Sequence, residues 1–157
     1  MPRSRPGALR AERGTYGGRR APAWARELPP LDRLPPAASA EAHWALTCPD
    51  AADLLILLVS YRAFLDRPGD RLRPAASECP ACPGCARDDV AVVRDELADA
   101  YRALPPGARV ALGRVLARLD AEFRRRTLPD PDPPAAHRTD WRGNPYAWWH
   151  RRLYEDG

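Results

Sequence analysis

Leu54-Leu55-Ile56-Leu57-Leu58-Val59-Ser60-Tyr61, in the middle of a 157-residue chain, decides the fold. Six consecutive apolar residues leave no room for the alternation of a half-buried strand. The run is also far shorter than the roughly 20 apolar residues of a bilayer span. Just upstream, Thr47-Cys48-Pro49-Asp50 has the spacing of a capping box, Thr at the cap and an acid three residues on, with Pro tolerated in the first turn. Downstream, Arg67-Pro68-Gly69-Asp70 is a stop signal. The pattern predicts a helix from Cys48 to Leu65. Its apolar residues point in every direction, as in a helix at the centre of a core, so it is expected to be the hub of the domain.

Two further helices are expected after this hub. Val90, Val93, Leu97, Tyr101 and Leu104 recur at steps of three and four, which predicts a helix over Ala86–Leu104, with Asp88 and Asp89 near its positive end. Pro105-Pro106-Gly107 interrupts the chain. A third helix is predicted from Ala108 to Arg126, with Leu112, Val115, Leu116, Leu119 and Phe123 inward and Arg114, Arg118 and Glu122 outward. So short a break implies an antiparallel hairpin. Upstream of the hub, Ser39–Leu46 reads as a short helix capped by Ser39. No stretch alternates long enough for a sheet. The expected fold is all-α, with three main helices and a short fourth at the C-terminus.

Composition frames the remainder. Nineteen prolines and ten glycines exceed ordinary usage, and every one of the 25 basic residues is arginine. Such a skew follows from a GC-rich coding sequence, so a net charge of +4 says little about a polyanionic partner. Residues 1–38 are rich in Arg, Pro and Gly and are expected to form a mostly disordered tail. Trp24, Leu28, Leu31 and Leu34 are the exceptions, and they suit an arm that docks on the helical domain, residues 39–157. Within that domain lie a Cys-rich loop (66–85), a Pro-rich spacer (128–144) and an aromatic helix (145–155). Met1-Pro2-Arg3-Ser4-Arg5-Pro6 leads into no apolar segment, so the expected compartment is the reducing cytoplasm, with no membrane span.

Cys79-Pro80-Ala81-Cys82-Pro83-Gly84-Cys85 is the strongest chemical signal. Three thiols at i, i+3 and i+6, broken by Pro and Gly, suit a tight turn aiming several sulfurs at one centre. Tetrahedral zinc takes four such ligands. Cys48 is the expected fourth, because Cys48 and Cys85 both stand at helix starts, where the dipole favours a thiolate. His43 is the runner-up. Zinc held by Cys48, Cys79, Cys82 and Cys85 is thus the expected cofactor, and an iron–sulfur cluster is the alternative. One distant Cys before a close triplet resembles the order in the WhiB-like regulators. The last spacing is shorter here, and no Gly-(Val/Ile)-Trp-Gly-Gly turn follows, so no function is carried over. Each C-x-x-C pair also matches a redox dithiol, a chemistry that normally needs a βαβ setting.

Trp141, Tyr146, Trp148, Trp149 and Tyr154 are interleaved with Arg142, His150, Arg151 and Arg152 near the C-terminus. Rings beside arginines can stack on bases and hold phosphates. They can equally dock on neighbouring helices with arginines at the rim, which suits a small domain short of large core residues. Docking is the expected role. Tyr146, Trp149 and Leu153 would share one face of the helix, leaving Trp148 on another. Arg124-Arg125-Arg126 suits the negative end of its helix. His137 and His150 read as surface histidines, and Glu78 beside Cys79 is the only candidate for the nearby Glu of a catalytic metal site. No nucleophile stands with a base, and no carboxylates are paired for acid–base work. The expectation is a non-enzymatic, zinc-binding helical protein that acts as a binding or adaptor module for another protein, with no small-molecule substrate. A nucleic-acid-associated regulator and an iron–sulfur redox sensor are the alternatives.

Overall fold

A computed structural model of the chain describes residues 21–46, 50–73, 85, 87–133, 139 and 143–154. Cys48, Cys79, Cys82, Glu78, His137, Trp141 and Arg142 lie outside the described residues, as does Thr47 of the expected capping box. Among the described residues the fold is mostly helical: α1 (Ala23–Glu27), α2 (Pro36–Ala45), α3 (Ala51–Leu65), α4 (Val90–Ala103) and α5 (Pro106–Arg125). A turn of 3-10 helix covers Trp148–His150. One small addition was not expected: β1 (Leu128–Pro129) pairs antiparallel with β2 (Arg152–Leu153), Leu128 opposite Leu153. No described helix is long and apolar enough to cross a membrane. The chain divides into two compact units, Met1–Leu58 with Leu97–Ala117, and Val59–Glu96 with Arg118–Gly157.

In the first unit, alanine makes close packing possible. Ala21, Ala25 and Ala40 are buried together, with Trp44 packed against them. Leu31 and Leu34 are buried in the connection between α1 and α2, whereas Trp24 and Leu28 stay exposed. Two polar contacts fix this connection. The Leu31 N–H donates to Ser39 Oγ at 2.8 Å, and His43 Nε2 donates to the Pro29 carbonyl at 3.0 Å. Residues 21–38, assigned from sequence to the tail, thus carry a helix and two buried leucines. α2 begins at Pro36, because a proline is preorganised for the first helical position. Ser39 is therefore inside the helix and is not its cap.

Of the long helices, α3 and α4 start later than their sequence signals suggest, whereas α5 starts two residues earlier, at Pro106. Asp50 caps α3, its Oδ1 accepting the Asp53 N–H at 2.8 Å. Leu54, Leu57, Leu58 and Tyr61 are fully buried at i, i+3, i+4, i+7 spacing. Ile56 and Val59 are 51% and 52% exposed, so α3 is not the all-round buried hub that its composition suggests. Leu97 and Ala100 of α4, Leu104 just after it, and Ala108, Leu112 and Leu116 of α5 complete the first unit's core. The helices form the expected hairpin. Arg109 bridges its turn by donating to the Leu104 and Arg102 carbonyls, and Glu41 Oε2 accepts the Ala108 N–H at 3.0 Å in the first turn of α5. Gly113 permits the close approach there, since a Cβ at this position would stand 3.2 Å from the Tyr101 ring.

The second unit is built around aromatic rings. Tyr61 and Phe64 each meet Phe123 edge-to-face, at 6.1 and 6.2 Å between centroids. Leu65, Leu72, Val90, Val93 and Leu119 are buried with them. α4 starts at Val90 instead of Ala86. A turn precedes it, with the Asp88 N–H donating to the Cys85 carbonyl, and Asp89 Oδ1 accepts the Ala91 N–H at 2.8 Å.

Candidate functional site

The C-terminal aromatic segment docks on its own unit, though not as the helix expected over residues 145–155. A helix of about eleven residues is marginal without strong tertiary support. Here the backbone finds other partners. Asp130 N–H donates to the Arg151 carbonyl, and the β1–β2 pair holds Arg152 and Leu153 extended. Tyr146, Trp149 and Leu153 consequently do not form one helical face, and Leu153 is exposed. Both indoles still find places. Trp148 lies 5.6 Å from Phe123 and has the Arg124 guanidinium 4.0 Å above its ring. Trp149 is stacked by Arg94 at 4.3 Å, and its Nε1–H donates to Asp95 Oδ1 at 2.7 Å. His150 Nε2 meets the other Asp95 oxygen at 2.7 Å, with the Tyr146 ring 4.5 Å from the imidazole. One carboxylate on α4 therefore fastens two consecutive residues of the segment.

Beneath Trp149 lies a buried charge network. Arg94 Nε and Nη2 donate to the two oxygens of Asp120, both at 2.9 Å, and the Tyr61 hydroxyl donates to Asp120 Oδ1 at 2.9 Å. Arg94 and Asp120 are 7% and 8% exposed. Arg94 Nη1 is buried without a hydrogen-bond partner among the described residues, while the Trp149 ring stacks on the guanidinium. Burial, and then the adjacent Asp120 charge, pushes the Tyr61 phenol well above its ordinary range. Tyr154 is displaced the same way, chiefly by burial. Sequence reading missed this network, although its signal was present. Arg94 stands four residues after Val90 and three before Leu97, and Asp120 four after Leu116 and three before Phe123, so each interrupts an apolar stripe.

The arginines that end α5 part ways. Arg126 is buried and donates to the carbonyls of Leu65, Arg67 and Gly69, closing the C-terminus of α3. Arg125 pairs with Glu122 at 2.7 Å. Arg124 covers Trp148, and Arg152 donates to Thr127 Oγ1 and to the carbonyls of Thr127 and Arg124. These guanidiniums serve chiefly to tie backbone and ring together.

A cleft of about 410 Å³ opens between Tyr61, Phe64 and Arg67 on one side and Arg87, Val90 and Val93 on the other. Arg67 lies 4.9 Å over the Phe64 ring, and Arg87 pairs with Glu96 at 3.0 Å. Asp88 also lines the cleft, and Cys85, partly buried, precedes Asp88 by one turn. Of the four expected zinc ligands only Cys85 is among the described residues, and within those residues no group of three or more His, Cys, Asp or Glu could hold a metal. His43, the runner-up, uses Nε2 on the Pro29 carbonyl. No protein-family model, curated protein or solved structure matches the chain.

Proposed function

We propose that the protein is a zinc-stapled helical adaptor that binds another protein and carries out no chemistry of its own. The observation that carries this reading is that Cys85, the last residue of Cys79-Pro80-Ala81-Cys82-Pro83-Gly84-Cys85, stands just before the start of α4. Cys85 leads through a single turn into Asp89, the cap of α4. Cys48 likewise precedes Asp50, the cap of α3, by two residues. Four thiolates with no added carboxylate or water match the closed ligand set of structural zinc. Cys48, Cys79, Cys82 and Cys85 would hold the ion, and the ion would fix the polar loop that carries the thiol triplet. The nucleic-acid alternative draws less support, because Arg126 and Arg152 spend their donors inside the second unit. Elemental analysis with a visible spectrum of the purified full chain tests the proposal. One zinc per chain and no colour is the expected result. Iron with visible absorption would assign the thiols to a cluster, and absence of both metals would overturn the staple.

A further inference from the structure

We infer that the outward face of α3 is a self-complementary docking surface for a second copy of this chain. Ala52, Ile56, Val59 and Ala63 are all exposed. Their spacing of four, three and four places them within a sector of roughly 60° at 100° per residue, on one face of one continuous helix. An exposed stripe of this kind is unusual on a helix whose opposite face, Leu54, Leu57, Leu58 and Tyr61, is fully buried.

The stripe reads the same from either end. A two-fold axis perpendicular to α3, midway between Leu57 and Leu58, brings Ile56 level with Val59 of the second copy and Ala52 level with its Ala63. Closed dimers require this condition, in which residue i meets j and j meets i. The alternation of four and three residues is also the seam of an antiparallel helix pair. Alanines at both ends let the helices approach closely, while Ile56 and Val59 fill the middle. On one flank, Asp53 of one copy falls within about 3 Å of axial rise of Ser60 of the other, so the rim is polar.

Composition favours a second copy over the chain's own remaining segments. Outside the described residues the large apolar side chains are Met1, Leu9, Tyr16 and Trp141, scattered among arginine, proline and glycine. A second α3 supplies Ile56 and Val59 in matching register. The face is only about 17 Å long, from eleven steps of about 1.5 Å each, which belongs with small transient interfaces. The expected dimer is therefore reversible, with a dissociation constant in the micromolar range.

Sedimentation velocity of the full chain, as purified, tests this independently of the zinc proposal. The wild type should move from monomer to dimer across the micromolar range. Ile56→Glu and Val59→Arg should each be monomeric with unchanged melting temperature, because both sites are exposed. An equimolar mixture of the two variants should regain the dimer, since the introduced charges face each other across the axis. Should either variant unfold, Ala52→Glu and Ala63→Arg make the same test at the outer pair. Three results would overturn the inference: a wild type monomeric throughout, a dimer indifferent to these substitutions, or a mixture that stays monomeric. A monomeric wild type destabilised by Ile56→Glu would show instead that the chain covers this face itself.

Discussion

Asp120 holds Arg94 and Tyr61 at once, and removing it leaves a guanidinium buried without its counter-charge. Asp120→Ala should cost about 3–5 kcal/mol in urea unfolding, the range for breaking one side of a buried ion pair. Tyr61→Phe removes one bond to a charged acceptor and should cost about 1.5–3 kcal/mol. Replacing both charges, as Arg94→Met with Asp120→Leu, should recover much of the loss, because neither partner is then stranded. The two buried tyrosines set a pH limit as well. Both phenols are held above their ordinary range in the folded state, so they favour the protonated form there. Their contribution is complete below the unfolded pKa of about 10 and is lost as pH rises beyond it. Each should lower stability by roughly 1.4 kcal/mol per pH unit in that window. With no lysine in the chain, tyrosine dominates the alkaline titration. Tyr61→Phe and Tyr154→Phe should flatten the decline, and an unchanged slope in the double variant would contradict the assignment.

At the scale of elements, the docked C-terminal segment is the part most exposed to a single substitution. Trp148→Ala should cost about 2–4 kcal/mol, because it strips the ring from between Phe123 and Arg124. Urea unfolding followed by circular dichroism would read this, and an unchanged midpoint would mean that the segment does not dock. The three long helices were legible because stripes such as Val90, Val93 and Leu97 repeat with the helical period over several turns. Their ends were less so. Thr47 and Ala86 were plausible starts, yet Asp50 and Asp89 supply the caps. The final segment misled for a different reason. Tyr146, Trp149 and Leu153 have helical spacing, but the donors of Arg152 and the pairing of Leu128 with Leu153 favour an extended end. Such long-range terms leave no periodic trace. The stretch around Leu31 was hidden likewise, since proline-rich sequence conceals two leucines buried by tertiary contact.

For the whole molecule, the candidate site was legible as chemistry and not as geometry. Three closely spaced thiols identify themselves, whereas Arg94 and Asp120 show in the sequence only as interruptions of two apolar stripes, and their pairing only once α4 and α5 are placed together. In the proposed zinc site the thiols are structural, so that the free energy of metal binding would enter the folding free energy directly. Cys82→Ser, which removes the middle ligand, should therefore destabilise the chain by several kcal/mol. The most direct measurement is thermal unfolding of the zinc-loaded full chain, followed by circular dichroism before and after a strong chelator removes the ion. A fall in melting temperature of about 10 °C or more is the expected result. A melting temperature unmoved by complete removal of the zinc would contradict a structural staple.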